Sequence, residues 1–235
     1  MAFPVVEAGS NGRNESSATT HSVTLPAGVA AGDLLLIFFA TRYDTAITGP
    51  AGWTQVFQPV YSTYCRIACF SIIASGGETL ASVTTAGNTR TGFVCYRISG
   101  ASGNVEFGSA VFQTGSHDVA PVTASWGVKD NLFLAMCGKT EANTLSYWPS
   151  THTLHRTKNL WLDGNAANVF VCARTEAVAT HDAGSFTFGG LSRGIATPLV
   201  VEPGGSPPAP GQLPLINRIR TGGGLSSIIK SGGQL

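Results

Sequence analysis

The chain has 235 residues, of which 43% are hydrophobic and only 11% charged, with 29 glycines and 12 prolines. That is enough to bury one sizeable core, and the apolar content excludes disorder over most of the length. Fourteen Lys and Arg against thirteen Asp and Glu leave a net charge of +1, so no overall field draws a nucleic acid or an anionic membrane, and neither is expected as a partner.

Short segments rich in Val, Ile, Thr and Phe recur between clusters of Gly, Asn, Asp and Ser. No long stretch repeats its apolar residues every 3.6 positions, so the chain is expected to be all-β. In chain order the strands are read at 5–8, 22–25, 33–42, 53–60, 65–73, 80–84, 91–98 and 105–112. They continue at 122–124, 132–139, 152–157, 160–162, 168–176, 184–188 and 195–202. The runs 34–40, 93–98 and 132–137 are apolar on both parities and read as central strands, whereas 185–188 alternates as a half-exposed strand does. Turns are expected at Pro26-Ala27-Gly28, Gly49-Pro50-Ala51-Gly52, Ser75-Gly76-Gly77, Ala86-Gly87-Asn88 and Asp163-Gly164-Asn165, the last as a hairpin. This mixture predicts a two-sheet antiparallel β-sandwich, jelly-roll-like, over residues 1–202, followed by an extended C-terminal tail.

After Glu202 the composition changes. Residues 203–213, with Pro203, Pro207, Pro208 and Pro210 among Gly and Ser, read as a linker. Residues 214–235 then carry a ten-residue repeat, in which Ile219-Arg220-Thr221-Gly222-Gly223-Gly224-Leu225 is echoed by Ile229-Lys230-Ser231-Gly232-Gly233-Gln234-Leu235. Residues 203–235 contain Arg218, Arg220 and Lys230 and no acid, a charge of +3, which leaves 11 basic and 13 acidic residues in the rest. The aliphatics Leu215, Ile216, Ile219, Leu225, Ile228 and Ile229 exceed what a solvating tail needs. Ile216, Arg218, Ile219, Arg220, Leu225, Ile228, Ile229, Lys230 and Leu235 are therefore the expected partner-binding residues, as an extended segment that adds to a sheet edge of another subunit.

Met1-Ala2-Phe3-Pro4 lacks a basic region followed by an apolar one, so no secretory signal is expected; the longest strongly apolar run, 34–40, is too short to span a bilayer as a helix. Cys65, Cys69, Cys95, Cys137 and Cys172 are an odd set without a CxxC pair. They read as reduced, buried thiols of a protein synthesised in a cytoplasm.

Catalytic signatures are weak. His117-Asp118 and His181-Asp182 are adjacent pairs, with Ser116 and Ser185 as conceivable nucleophiles, but neighbours on a strand point to opposite sides, and both pairs are read as loops. His152 and His155 are spaced as HxxH in a segment read as a strand, where the two face opposite ways, so no metal site is expected. Glu106, Asp118, Glu141, Asp163 and Asp182 are assigned to turns or strand edges rather than to a carboxylate pair. Neither an enzyme nor a cofactor is expected. Tyr147-Trp148-Pro149 and Trp161 place three aromatics in polar, loop-like surroundings. They suit either stacking on a sugar ring or covering the sandwich end and a subunit interface.

Three stretches carry a family resemblance: residues 20–37, containing Leu25-Pro26-Ala27-Gly28 and Gly32-Asp33-Leu34-Leu35-Leu36; Gly49-Pro50-Ala51-Gly52-Trp53-Thr54; and Cys95-Tyr96-Arg97-Ile98-Ser99-Gly100-Ala101. Their order and wording resemble a family of β-sandwich domains found in structural proteins of tailed bacteriophages, and residues 126–134 resemble its second half. The resemblance spans roughly residues 3–202. It implies a non-enzymatic virion protein, a head decoration or a tail or fibre component. Its partners would be other virion subunits, in a homo-oligomeric arrangement. The alternative it leaves open is a module at a fibre end that binds a host receptor or surface glycan through Tyr147, Trp148 and Trp161.

Overall fold

The computed structural model describes residues 2–141, 143–159 and 167–205. The first half of the chain forms β1 (Val5–Thr24), β2 (Leu34–Arg42), β3 (Ile47–Thr48), β4 (Thr54–Phe57), β5 (Val60–Tyr61), β6 (Cys65–Ile73) and β7 (Leu80–Ser99). The second half forms β8 (Ala101–Phe107), β9 (Val111–Thr114), β10 (His117–Val119), β11 (Val122–Thr123), β12 (Asn131–Lys139) and β13 (Leu145–Tyr147). It continues with β14 (Leu154–Asn159), β15 (Asn168–Glu176), β16 (Thr180–His181), β17 (Gly184–Phe188) and β18 (Arg193–Pro203). The protein is all-β, and every strand pairing is antiparallel.

Two large sheets face each other. One runs β1-β7-β2-β6-β4, with β3 on β7 and β5 on β6; the other runs β14-β15-β12-β18-β8, with β9 also on β18. Period-two alternation decides which residues meet between them. Leu34, Leu36 and Phe38 of β2 and Val94, Tyr96 and Ile98 of β7 enter the central core with Leu132, Leu134 and Met136 of β12 and Val169 and Val171 of β15. The opposite parity is buried as well. Leu35, Ile37, Phe39, Phe93 and Cys95 form an outer cluster with Ile47 of β3 and with Leu25 and the half-buried Trp53 from connecting segments. On the other side Ala135, Cys137, Phe170 and Cys172 meet Phe186 and Phe188 of a small sheet, β10-β17-β13. The double parity of the central strands therefore reflects burial on both faces within a layered sandwich.

Close sheet approach needs a gap in one surface. At Gly138 a Cβ would lie 2.2 Å from Cγ2 of Ile67, so the glycine admits that side chain from the opposite sheet. Tyr96 crosses the core to donate its hydroxyl proton to the carbonyls of Val171, 3.1 Å away, and His155. At one lateral edge the buried Asn159 donates from Nδ2 to the carbonyl of Gly12 (3.1 Å) and accepts from the amide of Val169 (2.6 Å), which ties β14 to β1.

Several sequence expectations are corrected. Residues 5–8 and 22–25 are the ends of one strand, and so are 80–84 and 91–98; β1 and β7 pair from Val5↔Ser99 to Thr24↔Leu80 through bulges. Ala86-Gly87-Asn88 therefore lies inside β7, at an irregularity where β3 joins it. The polar middle of this ribbon is largely exposed, so it satisfies its backbone by pairing without any apolar pattern to reveal it. Residues 105–112 divide into β8 and β9 around Gly108, whose amide donates to the carbonyl of Pro198 (3.1 Å). Residues 53–60 divide likewise into β4 and β5. The chain also does not alternate between sheets in jelly-roll fashion: residues 5–99 build one sheet, and the other is built from residues beyond 100. Residues 160–162, Asp163-Gly164-Asn165 and the tail residues 206–235 lie outside the described residues.

Candidate functional site

The outer layer over β12 and β15 holds the surface features of chemical interest. Leu145 pairs with Phe188 and Tyr147 with Thr187, and a bulge lies between them. A bulge re-aims the side chains around it. Leu145 packs against the cluster of Phe170, Phe186 and Phe188, Tyr147 is 72% exposed, and Trp148 lies half-buried on Phe170 and Phe186 at ring-centroid distances of 6.2 and 6.0 Å. Tyr147 thus belongs to a strand rather than to a loop. These aromatics line an open concavity of about 580 Å³ with Ser146, Ser150, Arg156, Ser185 and Thr187. The Arg156 guanidinium lies 6.0 Å from the Trp148 ring centre, and its Nε donates to the carbonyl of His152 (3.0 Å). Trp161 lies outside the described residues, so two of the three expected aromatics are placed, and both line this site.

Behind the site is a histidine cluster. His152, 1% exposed, has its ring 5.1 Å from that of His181, which in turn packs 5.0 Å from Phe133. His181 Nδ1 lies 2.9 Å from Glu176, whose carboxylate also receives Nε and Nη2 of Arg174 at 2.9 and 3.1 Å. Burial, aided by the nearby positive groups of His181 and Arg174, pushes the His152 imidazole down to about 3. Burial also lowers His181, against the opposing pull of Glu176. These groups hold the packing of the outer layer.

The expected HxxH pair is separated. His152 sits in a turn, its amide donating to the carbonyl of Pro149 (3.2 Å), whereas His155 is exposed on β14. Among the described residues no group of three His, Cys, Asp or Glu side chains is placed to hold a metal ion.

His117-Asp118 and His181 are in strands, a correction to their reading as loops. His117 and Asp118 lie on β10, which pairs with β17, and His181 on β16, which pairs with β11. Strands this short are stabilised by the layer they cover, and sequence alone does not announce them. Alternation along β10 sends His117 inward, 5.2 Å from Phe188, with Nδ1 2.8 Å from the carbonyl of Gly115. Burial pushes its imidazole down to about 4. Asp118 turns outward and accepts from Ser185 Oγ at 2.8 Å. A serine thus meets an aspartate, and no nucleophile–histidine–acid chain is assembled from these residues.

The remaining carboxylates serve local geometry. Glu106 accepts from the amide and hydroxyl of Ser125, Glu141 holds Arg193, and Asp182 accepts from the amide of Gly184 (3.0 Å); Asp163 lies outside the described residues. All five cysteines are free and buried, and burial holds their thiols protonated, with Cys65 raised to about 12. Arg156 and Thr187 are remote site residues that sequence reasoning missed, as it missed the nearby Ser146 and Ser150, and Ser185 enters it only as a conceivable nucleophile. Arg156, Ser185 and Thr187 reach Trp148 only through the pairing of β13 with β17 and the course of β14, and no motif joins them.

The motifs behind the family resemblance converge. Asp33 Oδ2 accepts from the amide of Ala30 (2.9 Å) and lies 3.3 Å from Nη1 of Arg97, which donates to the carbonyl of Gly28. Their role is structural: they close the turn before β2 onto β7. The expected partner-binding residues Ile216, Arg218, Ile219, Arg220, Leu225, Ile228, Ile229, Lys230 and Leu235 lie outside the described residues. No family model, curated protein or solved structure matches the chain.

Proposed function

We propose that this chain is a non-enzymatic structural protein of a tailed-bacteriophage virion. It displays a β-sandwich as a head decoration or a tail or fibre component, and residues 214–235 attach it to another virion subunit. The observation that carries this reading is the core of the sandwich: among the described residues its buried clusters run from Val6 to Val201. The chain then leaves β18 at Pro203, beside Ala101, with the amide of Gly204 donating to the carbonyl of Gly100 (2.7 Å). In sequence, residues 203–235 carry a charge of +3 and several large aliphatics, a composition suited to burial against a partner. The motif resemblance and the engagement of histidines and carboxylates in packing agree with a role without catalysis.

The test is truncation after Gly205. The shortened chain is expected to keep its cooperative unfolding and to vanish from purified virions. Ile219→Asp with Ile229→Asp should mimic the deletion, and Arg220→Ala with Lys230→Ala should weaken attachment, because a cationic contact has lost its charge. Normal occupancy of the truncated chain on particles would show that the sandwich itself carries attachment.

A further inference from the structure

The concavity beside Trp148 brings two aromatic rings, a guanidinium and several hydroxyls together. Tyr147 presents an exposed ring, Trp148 a half-buried one, and Arg156 a guanidinium 6.0 Å from the Trp148 ring centre. The packing of Trp148 on Phe170 and Phe186 holds its ring, and the bond from Nε to the carbonyl of His152 orients the Arg156 fork. Four short hydroxyls, on Ser146, Ser150, Ser185 and Thr187, surround them.

We propose that this concavity binds a saccharide through a pyranose ring that bears a carboxylate. A pyranose offers an apolar C–H face to an aromatic ring and a rim of hydroxyls to short polar side chains, and both surfaces are matched here. The volume of about 580 Å³ takes one or two such rings, and the open shape suits the terminal unit of a longer glycan. Arg156 sets the sign of the ligand. Arg97, Arg174, Arg193 and Lys129 each pair with a carboxylate of this chain, whereas no described acid pairs with Arg156. Its planar N–H fork is the group best suited to a carboxylate. The inference is independent of the virion role: it concerns the sandwich alone, and particle incorporation does not bear on it.

The experiment titrates the full chain with glucuronic acid and N-acetylneuraminic acid, and in parallel with glucose and acetate. Binding is read by tryptophan fluorescence and by saturation-transfer NMR of the ligand. At least one acidic sugar is expected to bind saturably, about tenfold or more tighter than glucose or acetate, since a charge-assisted pair and ring stacking each add to affinity. Arg156→Gln should abolish the preference for acid over glucose, and Tyr147→Ala should weaken every sugar. Both side chains are at the surface, so both variants should unfold at the wild-type temperature. Trp148→Phe tests the half-buried ring while retaining its packing. Absence of saturable binding by both acidic sugars would overturn the proposal. So would acetate binding as well as the sugars, which marks a bare anion site, or an unchanged acid preference in Arg156→Gln.

Discussion

Asp33 and Arg97, distant in sequence, meet with Oδ2 and Nη1 3.3 Å apart, and the same arginine nitrogen reaches the carbonyl of Gly28. The pair joins two of the separated sequence motifs into one structure, because Asp33 also accepts from the amide of Ala30 and so closes the turn that launches β2. Asp33→Ala is expected to lower stability by roughly 1–3 kcal/mol, through loss of the turn bond and the stranding of a largely buried guanidinium. The Asp33→Ala, Arg97→Ala double variant should cost less than the sum of the single ones. Urea denaturation of the four proteins measures this, and strict additivity would deny the coupling.

Gly138 and Ile67 set the approach of the two large sheets. Because a Cβ at residue 138 would fall 2.2 Å from Ile67 Cγ2, Gly138→Ala is expected to destabilise the sandwich by about 1–3 kcal/mol, the usual range for overpacking. Ile67→Val leaves Cγ2 in place, so the compensating change is Ile67→Ala. The double variant should recover part of the loss caused by Gly138→Ala when each is compared with its own Ile67 background. Thermal unfolding of the four proteins gives the cycle, and a Gly138→Ala penalty that is equal in both backgrounds would place the strain elsewhere.

The buried histidines make stability fall in acid. In the unfolded chain an imidazole titrates near 6.5, whereas the folded protein holds His152 at about 3 and His117 at about 4. Between these values the unfolded state binds more protons. The stabilisation is therefore complete above pH 6.5 and is lost as pH falls toward 3, with a slope of about 1.4 kcal/mol per pH unit for each such group. His152→Gln removes one of them, so its stability should decline less steeply from pH 6.5 to 4.5 than that of the wild type. Urea midpoints across this window read the difference. An identical slope would mean that His152 takes up its proton without disturbing the fold.

Burial is legible where it is written into composition. The double-parity runs 34–40 and 132–137 identify central strands because both of their faces are covered, and the scattered cysteines identify core positions for the same reason. The middle of the β1–β7 ribbon escapes such a reading. Its residues are held by backbone pairing, which any polar side chain tolerates.

By itself, then, the sequence determined an all-β chain, its central strands, its reduced thiols and the change of composition after Glu202. These properties follow from local alternation and from what each side chain costs to bury. Only the tertiary structure decided that Ser185 meets Asp118, that His152 packs on His181, and that Arg156 stands beside Trp148. Those meetings depend on strand pairing and register, and a shift of one residue along β10, β14, β16 or β17 would turn Asp118, Arg156, His181 or Ser185 to the opposite face.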